Sequence, residues 1–174
     1  MEAIIFSDSH GNRAGMQQVL SHQVKSPEAV FFLGDGLRDF DALDTANASL
    51  YRVTGNCDWF SPLRDGKNPP TECLTALLGH TILLTHGHKF SVKSGEEHLL
   101  RHALAAGADI VLFGHTHRPT LRIFSAGEEL LGQTLARPLY LFNPGSIASG
   151  YGGGSFGTLL LTRDTVLFSH GLLS

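Results

Sequence analysis

The stretch Ala3-Ile4-Ile5-Phe6-Ser7-Asp8-Ser9-His10 decides the reading of this chain. Its first four residues are apolar, two of them β-branched, and make a short buried strand that turns polar abruptly at Ser7. The same pattern recurs. Phe31–Leu33 runs into Gly34-Asp35, and Tyr51–Val53 into Thr54-Gly55-Asn56-Cys57-Asp58. Ile82–Leu84 runs into Thr85-His86-Gly87-His88, and Val111–Phe113 into Gly114-His115-Thr116-His117. Each of these strands ends in side chains able to ligate a metal. In open α/β sheets the ligand crevice lies at the carboxyl ends of the strands, so these ends are expected to converge.

Further strands are expected at Leu74–Leu78, Thr120–Phe124, Leu139–Phe142 and Gly157–Leu161, with the earlier ones spanning Ala3–Phe6, Ala29–Leu33, Leu50–Val53, Thr81–Leu84 and Ile110–Phe113. A first helix places Met16, Val19, Leu20, Gln23 and Val24 near one face, capped by Asn12. A second shows a Ser94/Glu97 capping box, an apolar face of Leu99, Leu100, Ala103 and Leu104, and Gly107 as the glycine beyond its end. A weaker third helix is expected around Asp39–Ala46. Strand and helix alternate in the first half, and strands dominate the second. That order predicts an α/β fold of two face-to-face sheets with helices outside. Residues 66–71 and the glycine-rich 150–154 read as loops within a single domain over 1–174.

With 42% hydrophobic and 17% charged residues in 174, the chain reads as globular. No apolar run is long enough to span a membrane, and the first residues lack the basic, then apolar, order of a signal peptide. A cytoplasmic location is expected. The net charge of −3 argues against broad capture of nucleic acid. Cys57 and Cys73 have no metal-knuckle spacing, which argues against a disulfide framework.

The ligand types narrow the chemistry. Residues i and i+2 on an extended segment share a side, so Asp8 with His10, and His115 with His117, are expected to act as pairs. Carboxylate, imidazole and amide oxygen without a thiolate cluster suit Mn, Fe or Zn. Two carboxylates, four imidazoles and an amide exceed the needs of one ion and fit two, about 3.5–4 Å apart. Two divalent ions over-compensate Asp8 and Asp35, so the site attracts a phosphate anion.

In this order, Asp8-Ser9-His10, Gly34-Asp35, Gly55-Asn56-Cys57-Asp58, Thr85-His86-Gly87-His88 and Gly114-His115-Thr116-His117 resemble the calcineurin-like metallophosphoesterases. The short length, the Gly-Asn-Cys-Asp form and Asn143-Pro144-Gly145-Ser146 look like the small YfcE-type phosphodiesterase branch. The resemblance runs from about residue 4 to 162 and implies a four-layer αββα sandwich of two mixed sheets. It also implies that Asp8, His10, Asp35 and His117 hold one metal and that Asp35, Asn56, His86 and His115 hold a second, with Asp35 as the bridge. Mn²⁺ is the expected ion, with Fe, Ni, Zn or Mg as substitutes. The implied reaction is hydrolysis of a small phosphate ester, a diester before a monoester, by attack of a metal-bridging hydroxide. A homo-oligomer stays open, since small enzymes of this group often pair.

Cys57 stands where many relatives carry a histidine that contacts the phosphate or protonates the leaving group. A thiol is the weaker donor, which leaves His88 as the candidate acid. Asp58 is expected to support the Asn56 loop. His22, His80, His98, His102 and His170 are expected to be surface or packing residues without partners, and Asp39 and Asp41 solvated acids or helix-start residues. The rival reading is a non-catalytic scaffold on the same fold, like the related retromer subunit. Against it, every expected ligand position here carries the expected residue type.

Overall fold

The computed structural model describes residues 1–59, 66, 69–148 and 153–173. The loops expected at 66–71 and 150–154 fall partly outside the described residues.

Two five-stranded sheets stack face to face. The first has the order β12-β11-β1-β2-β3, formed by β12 (Val166–Leu172), β11 (Ser155–Leu161), β1 (Glu2–Phe6), β2 (Ala29–Phe32) and β3 (Ser49–Arg52). The second has the order β4-β5-β6-β10-β7, formed by β4 (Glu72–Leu77), β5 (His80–Thr85), β6 (Ile110–Phe113), β10 (Leu139–Asn143) and β7 (Thr120–Phe124). Both are mixed. β1, β2 and β3 run parallel in one, β5, β6 and β10 in the other, and the outer strands join antiparallel.

Alternation along the strands builds the layers. Ala3 and Ile5, Phe31, Ile82 and Leu84, Ile110 and Leu112, and Phe142 meet between the sheets. The opposite faces of the central strands are apolar too, because helices cover them. Ile4, Phe6, Val30 and Phe32 pack on Met16 and Val19 of α1 (Arg13–Ser21) and on Leu37 and Phe40 of α2 (Leu37–Asp41). Leu83, Val111 and Leu141 pack on Leu99, Leu100 and Ala103 of α3 (Glu97–Ala105). The result is the expected α/β arrangement of two mixed sheets with helices outside.

The nine expected strands are present within a few residues of their expected bounds. Missing from that expectation are β12 and a small hairpin of β8 (Glu129–Leu130) and β9 (Gln133–Thr134). In β12, His170 interrupts the apolar face, yet its ring stacks on Phe142 with centroids 4.6 Å apart.

The helices need more correction. Asn12 caps α1 as expected, its side chain accepting from the Gly15 N–H at 3.0 Å. The helix ends at Ser21, however, so Val24 lies beyond it and is fully exposed. The third expected helix begins earlier and is shorter, at Leu37–Asp41. The Ser94 capping box does not form. The residue at the N-cap of α3 is Glu96, without a side-chain cap bond, because its carboxylate pairs with Arg122 at 2.5 Å while Glu97 takes Arg101. At the other end Gly107 adopts φ +68°, and the Ala108 N–H reaches the Ala103 carbonyl at 2.9 Å, the expected left-handed termination.

Candidate metal centre

The carboxyl ends of β1, β2, β5 and β6, with the loop after β3, meet at one edge of the sandwich. Asp8, His10 and His117 form one group with ligand atoms within 4.8 Å of one another, and Asp35, His86 and His115 form another. His10, Asp35 and Cys57 satisfy the same limit, so Asp35 reaches both groups. Asn56 belongs with the second, its Oδ1 3.1 Å from His86 Nε2.

Backbone geometry makes this convergence possible, and it differs from the expected extended pairs. Asp8, His10, Asp35, His115 and His117 all have positive φ, between 42° and 68°. Such a conformation costs a residue with a side chain about 1–3 kcal/mol and persists where the surroundings impose it. It also redirects neighbours, so His115 and His117 fall in different groups, unlike the i, i+2 pairing and in the partition that the resemblance implies. Two glycines allow the loops to touch. A Cβ at Gly55 would collide with Asp35 Oδ1, and one at Gly114 with Ser7 Oγ.

Hydrogen bonds fix the side chains before any cation arrives. His86 is fully buried, and its Nδ1–H donates to the Leu33 carbonyl at 2.7 Å, which leaves Nε2 facing the centre. Asp8 Oδ2 accepts from Ser7 Oγ at 2.5 Å and from the His115 N–H at 3.0 Å. Asp35 Oδ1 accepts from the Cys57 N–H at 2.7 Å. The buried Asp58 carboxylate accepts four backbone N–H groups, those of Asp35, Gly36, Leu37 and Gly55, at 2.8–2.9 Å. It therefore supports the Asp35 loop and the start of α2 as well as the Asn56 loop.

What remains unsatisfied points to a cation. Among the described residues Asp8 Oδ1 is buried without a hydrogen-bond partner, although His117 Nε2 lies 3.1 Å away and His10 Nε2 3.8 Å away. Ring nitrogens face each other at 3.4 Å between His10 and His117 and at 3.2 Å between His115 and His86. At most one proton can occupy the line between two such nitrogens, and an orphaned buried carboxylate oxygen costs about 1–3 kcal/mol or more. Cations among these atoms would satisfy all of them. The mixed carboxylate, imidazole and amide donor set suits a divalent ion of intermediate softness.

The electrostatics agree. Burial works to raise the Asp35 carboxyl, but His86 and the Cys57 N–H outweigh it and hold the group well below the usual carboxylate range. Burial lowers His86, yet Asp35 and Asp8 more than offset it and raise the ring. Burial and the charges of His86 and Lys93 push His115 down to about 4. The Asp8 carboxylate raises His117. Partial desolvation and the carboxylates of Asp35, Asp58 and Asp8 push the Cys57 thiol up to about 11. His88 begins a 3-10 turn (His88–Phe90), its ring centroid 5.4 Å from that of His86. Its Nδ1 is buried without a partner among the described residues, and burial, His86 and Lys89 lower its pKa.

Several residues support the ligand loops through contacts that the sequence did not give. Asp39, expected to be a solvated acid or a helix-start residue, lies in the first turn of α2 and also accepts from Ser9 Oγ at 2.6 Å and the Gly11 N–H at 2.8 Å, tying down the His10 loop. Buried Asn143 donates to the Gly114 carbonyl at 2.9 Å and to Thr116 Oγ1 at 3.1 Å, and Ser146 Oγ donates to the Asp8 carbonyl at 2.7 Å. Four of the histidines expected to lack partners have them. His170 Nε2–H donates to the Asn143 carbonyl at 2.8 Å, and His22 Nδ1–H to the Gln18 carbonyl at 2.8 Å. His80 meets Asp109 at 2.9 Å and His102 meets Glu72 at 3.1 Å. Asp41 also has a partner, Arg52, at 3.7 Å.

Comparison with known proteins shows the family of the chain. The family model of the calcineurin-like phosphoesterase superfamily domain matches residues 1–165. A curated relative, the probable metallophosphoesterase YsnB of Bacillus subtilis (strain 168), is 31% identical over 150 residues, covering 84% of this chain and 75% of that protein. Among solved structures, a predicted phosphoesterase from Streptococcus pneumoniae TIGR4 superposes with a TM-score of 0.71 at 24% identity, covering 98% and 88% of the two chains. Vacuolar Protein Sorting 29 of Cryptosporidium parvum gives 0.69 at 19% identity, covering 98% and 97%, a likeness of fold. Among the described residues no helix is long and apolar enough to cross a membrane. The chain belongs to the calcineurin-like phosphoesterase superfamily.

Proposed function

We propose that this protein is a binuclear metal-dependent phosphodiesterase. The carrying observation is the orphaned Asp8 Oδ1, buried among imidazole nitrogens that face one another without enough protons to satisfy them. Asp8, His10, Asp35 and His117 would hold one ion, and Asp35, Asn56, His86 and His115 the other, with Asp35 shared. Mn²⁺ is the favoured ion, with Fe, Ni, Zn or Mg as substitutes. Bound there, the ions would supply positive charge to the phosphate oxygens and would lower the pKa of water.

The chain's own residues do the rest. Leu33 and Asp58, through His86 and the Asp35 backbone, keep the ligand set preorganised, so little reorganisation accompanies substrate binding. Cys57 sits at the exposed rim, within ligand distance of Asp35 and His10, and its protonated thiol can donate weakly to a phosphate oxygen. His88 would pass a proton to the leaving group, supported by a ring beside the centre whose Nδ1 has no partner among the described residues; its lowered pKa confines that role to the acidic side of neutrality. Exposure of His10, His117 and Cys57 leaves the centre open to an ester with two substituents, which favours a diester over a monoester.

The test is metal-stripped protein reloaded with single metals and assayed on bis(p-nitrophenyl) phosphate and p-nitrophenyl phosphate. Turnover is expected with Mn²⁺ at about two ions per chain, with the diester preferred. Undiminished turnover in excess chelator overturns the reading. The fold shared with Vacuolar Protein Sorting 29 supports one alternative, a non-catalytic scaffold. Full metal loading without hydrolysis of either ester would favour it.

A further inference from the structure

Beside the metal centre lies a second cavity, of about 460 Å³, lined by Val92, Lys93, Glu96, Thr116, Arg118 and Thr120. Its volume falls within the about 300–1,000 Å³ usual for small-molecule sites. Thr116 stands between His115 and His117 in the chain, so one loop serves the centre on one side and the cavity on the other.

The charges in this cavity are unbalanced. Its single carboxylate, Glu96, is engaged by Arg122 at 2.5 Å. Among the described residues, the Lys93 ammonium and the Arg118 guanidinium have no ion pair or side-chain hydrogen bond. Thr116 Oγ1 accepts from Asn143 Nδ2 and from the Arg118 N–H, which leaves its own O–H to donate. Lys93 and Arg118 line the cavity together with Thr116, the residue between two ligand candidates, so both charges stand next to the catalytic edge. Two unpaired cations and a free hydroxyl beside a phosphate-attracting centre form a composite anion site.

We propose that this cavity is the subsite for a second anionic group of the substrate. The preferred substrates are then small phosphate esters whose non-scissile part carries a carboxylate or a further phosphate. The inference rests on the hydrolase reading above and sharpens it to a substrate class.

The test compares two esters with the same scissile bond, phenyl p-nitrophenyl phosphate and its carboxyphenyl counterpart, on Mn²⁺-loaded protein. The carboxylate should raise kcat/KM by about tenfold, the scale of one charge-assisted contact. In the Lys93→Ala/Arg118→Ala double variant, whose altered side chains are exposed, that ratio should fall to near one. Equal rates for the two esters in the wild type, or a preference that survives in the double variant, overturns the subsite. Calorimetric titration of carboxyphenylphosphonate against phenylphosphonate gives the same ratio without turnover. A phosphonate preference lost in the double variant supports the subsite even if no ester is hydrolysed, in which case the hydrolase reading alone fails. Hydrolysis of both esters without preference keeps the hydrolase and overturns the subsite.

Discussion

At the amino ends of β5 and β6, buried Asp109 meets His80 and Arg137; at their carboxyl ends, buried Asp8 and Asp35 meet His86, His115, His10 and His117. The residue types are alike and the outcomes opposite. Asp109 Oδ1 accepts from the Thr81 N–H at 2.6 Å, and Oδ2 lies 2.9 Å from His80 Nδ1 and 3.3 Å from Arg137. Both its oxygens are satisfied, and no residue from His80 to Thr85 or from Asp109 to Phe113 has a positive φ. At the other end Asp8 Oδ1 has no hydrogen bond among the described residues, and five ligand candidates are held in left-handed backbone. A carboxylate with histidines is therefore a structural tie where its acceptors are filled, and a candidate site where they are left open under strain. The strain costs stability that the packed strands beneath must supply.

The largest expected effect lies on the open end. Asp35→Asn keeps the shape but removes the charge shared by both groups. Turnover on bis(p-nitrophenyl) phosphate should fall on the order of 10³-fold, the loss of several kcal/mol of charge stabilisation. Elemental analysis should show fewer ions per chain. Wild-type turnover and metal content in this variant would make the two ends equivalent and remove the contrast.

Next in size is the tie beneath the open end. Asp58→Ala strands four backbone N–H groups at the loops that carry Asp35 and Asn56. Several could recruit water, so we expect a cost of about 3 kcal/mol, read by urea unfolding of metal-free protein. Because Asp58 positions ligand loops without contacting an ion, metal affinity should also fall by about 10–100-fold. A variant as stable as wild type, with unchanged affinity, would show that the strained loops hold themselves.

How much of this contrast is written in the sequence depends on which physical signal carries it. The strands of the two sheets were legible because buried parallel strands read as unbroken apolar runs, and the ligand types stand immediately after them. The i, i+2 rule alone did not give the partition of His115 and His117, since it assumes extended backbone and these residues turn left-handed; the resemblance to the family carried that partition. The contacts of Asp39 and of Asn143, which stands in a motif the resemblance picks out, were hidden because their partners, Ser9, Gly11 and Gly114, are remote in sequence. β12 was obscured by His170, whose stacking on Phe142 and bond to Asn143 make a polar residue part of the packed face. The Ser94 capping box failed for a competitive reason: Glu97 had a better partner in Arg101, one turn along.

His88 tests where the open end stops. If its ring delivers the proton to the leaving group, His88→Ala should lower turnover by about 10²-fold, at the lower end of general acid contributions. Both metals should remain bound, because no ligand is removed. Unchanged turnover would take His88 out of the mechanism and return the proton donor to Cys57 or solvent.

The smallest effect is expected at the closed end. Asp109→Asn retains an oxygen for the Thr81 N–H but removes the charge facing His80 and Arg137. The Arg137 side chain is 63% exposed, so its pairing is screened and contributes little. His80 is 13% exposed and carries most of the difference, giving a cost of about 1–2 kcal/mol in urea unfolding. Metal content and turnover of the folded protein should match wild type, since no ligand, loop or strained residue is touched. A loss of metal from this variant would mean that the two ends are coupled through β5 and β6. The preorganisation of His86 and His115 would then begin at the far end of their strands, and not in the loops that bear them.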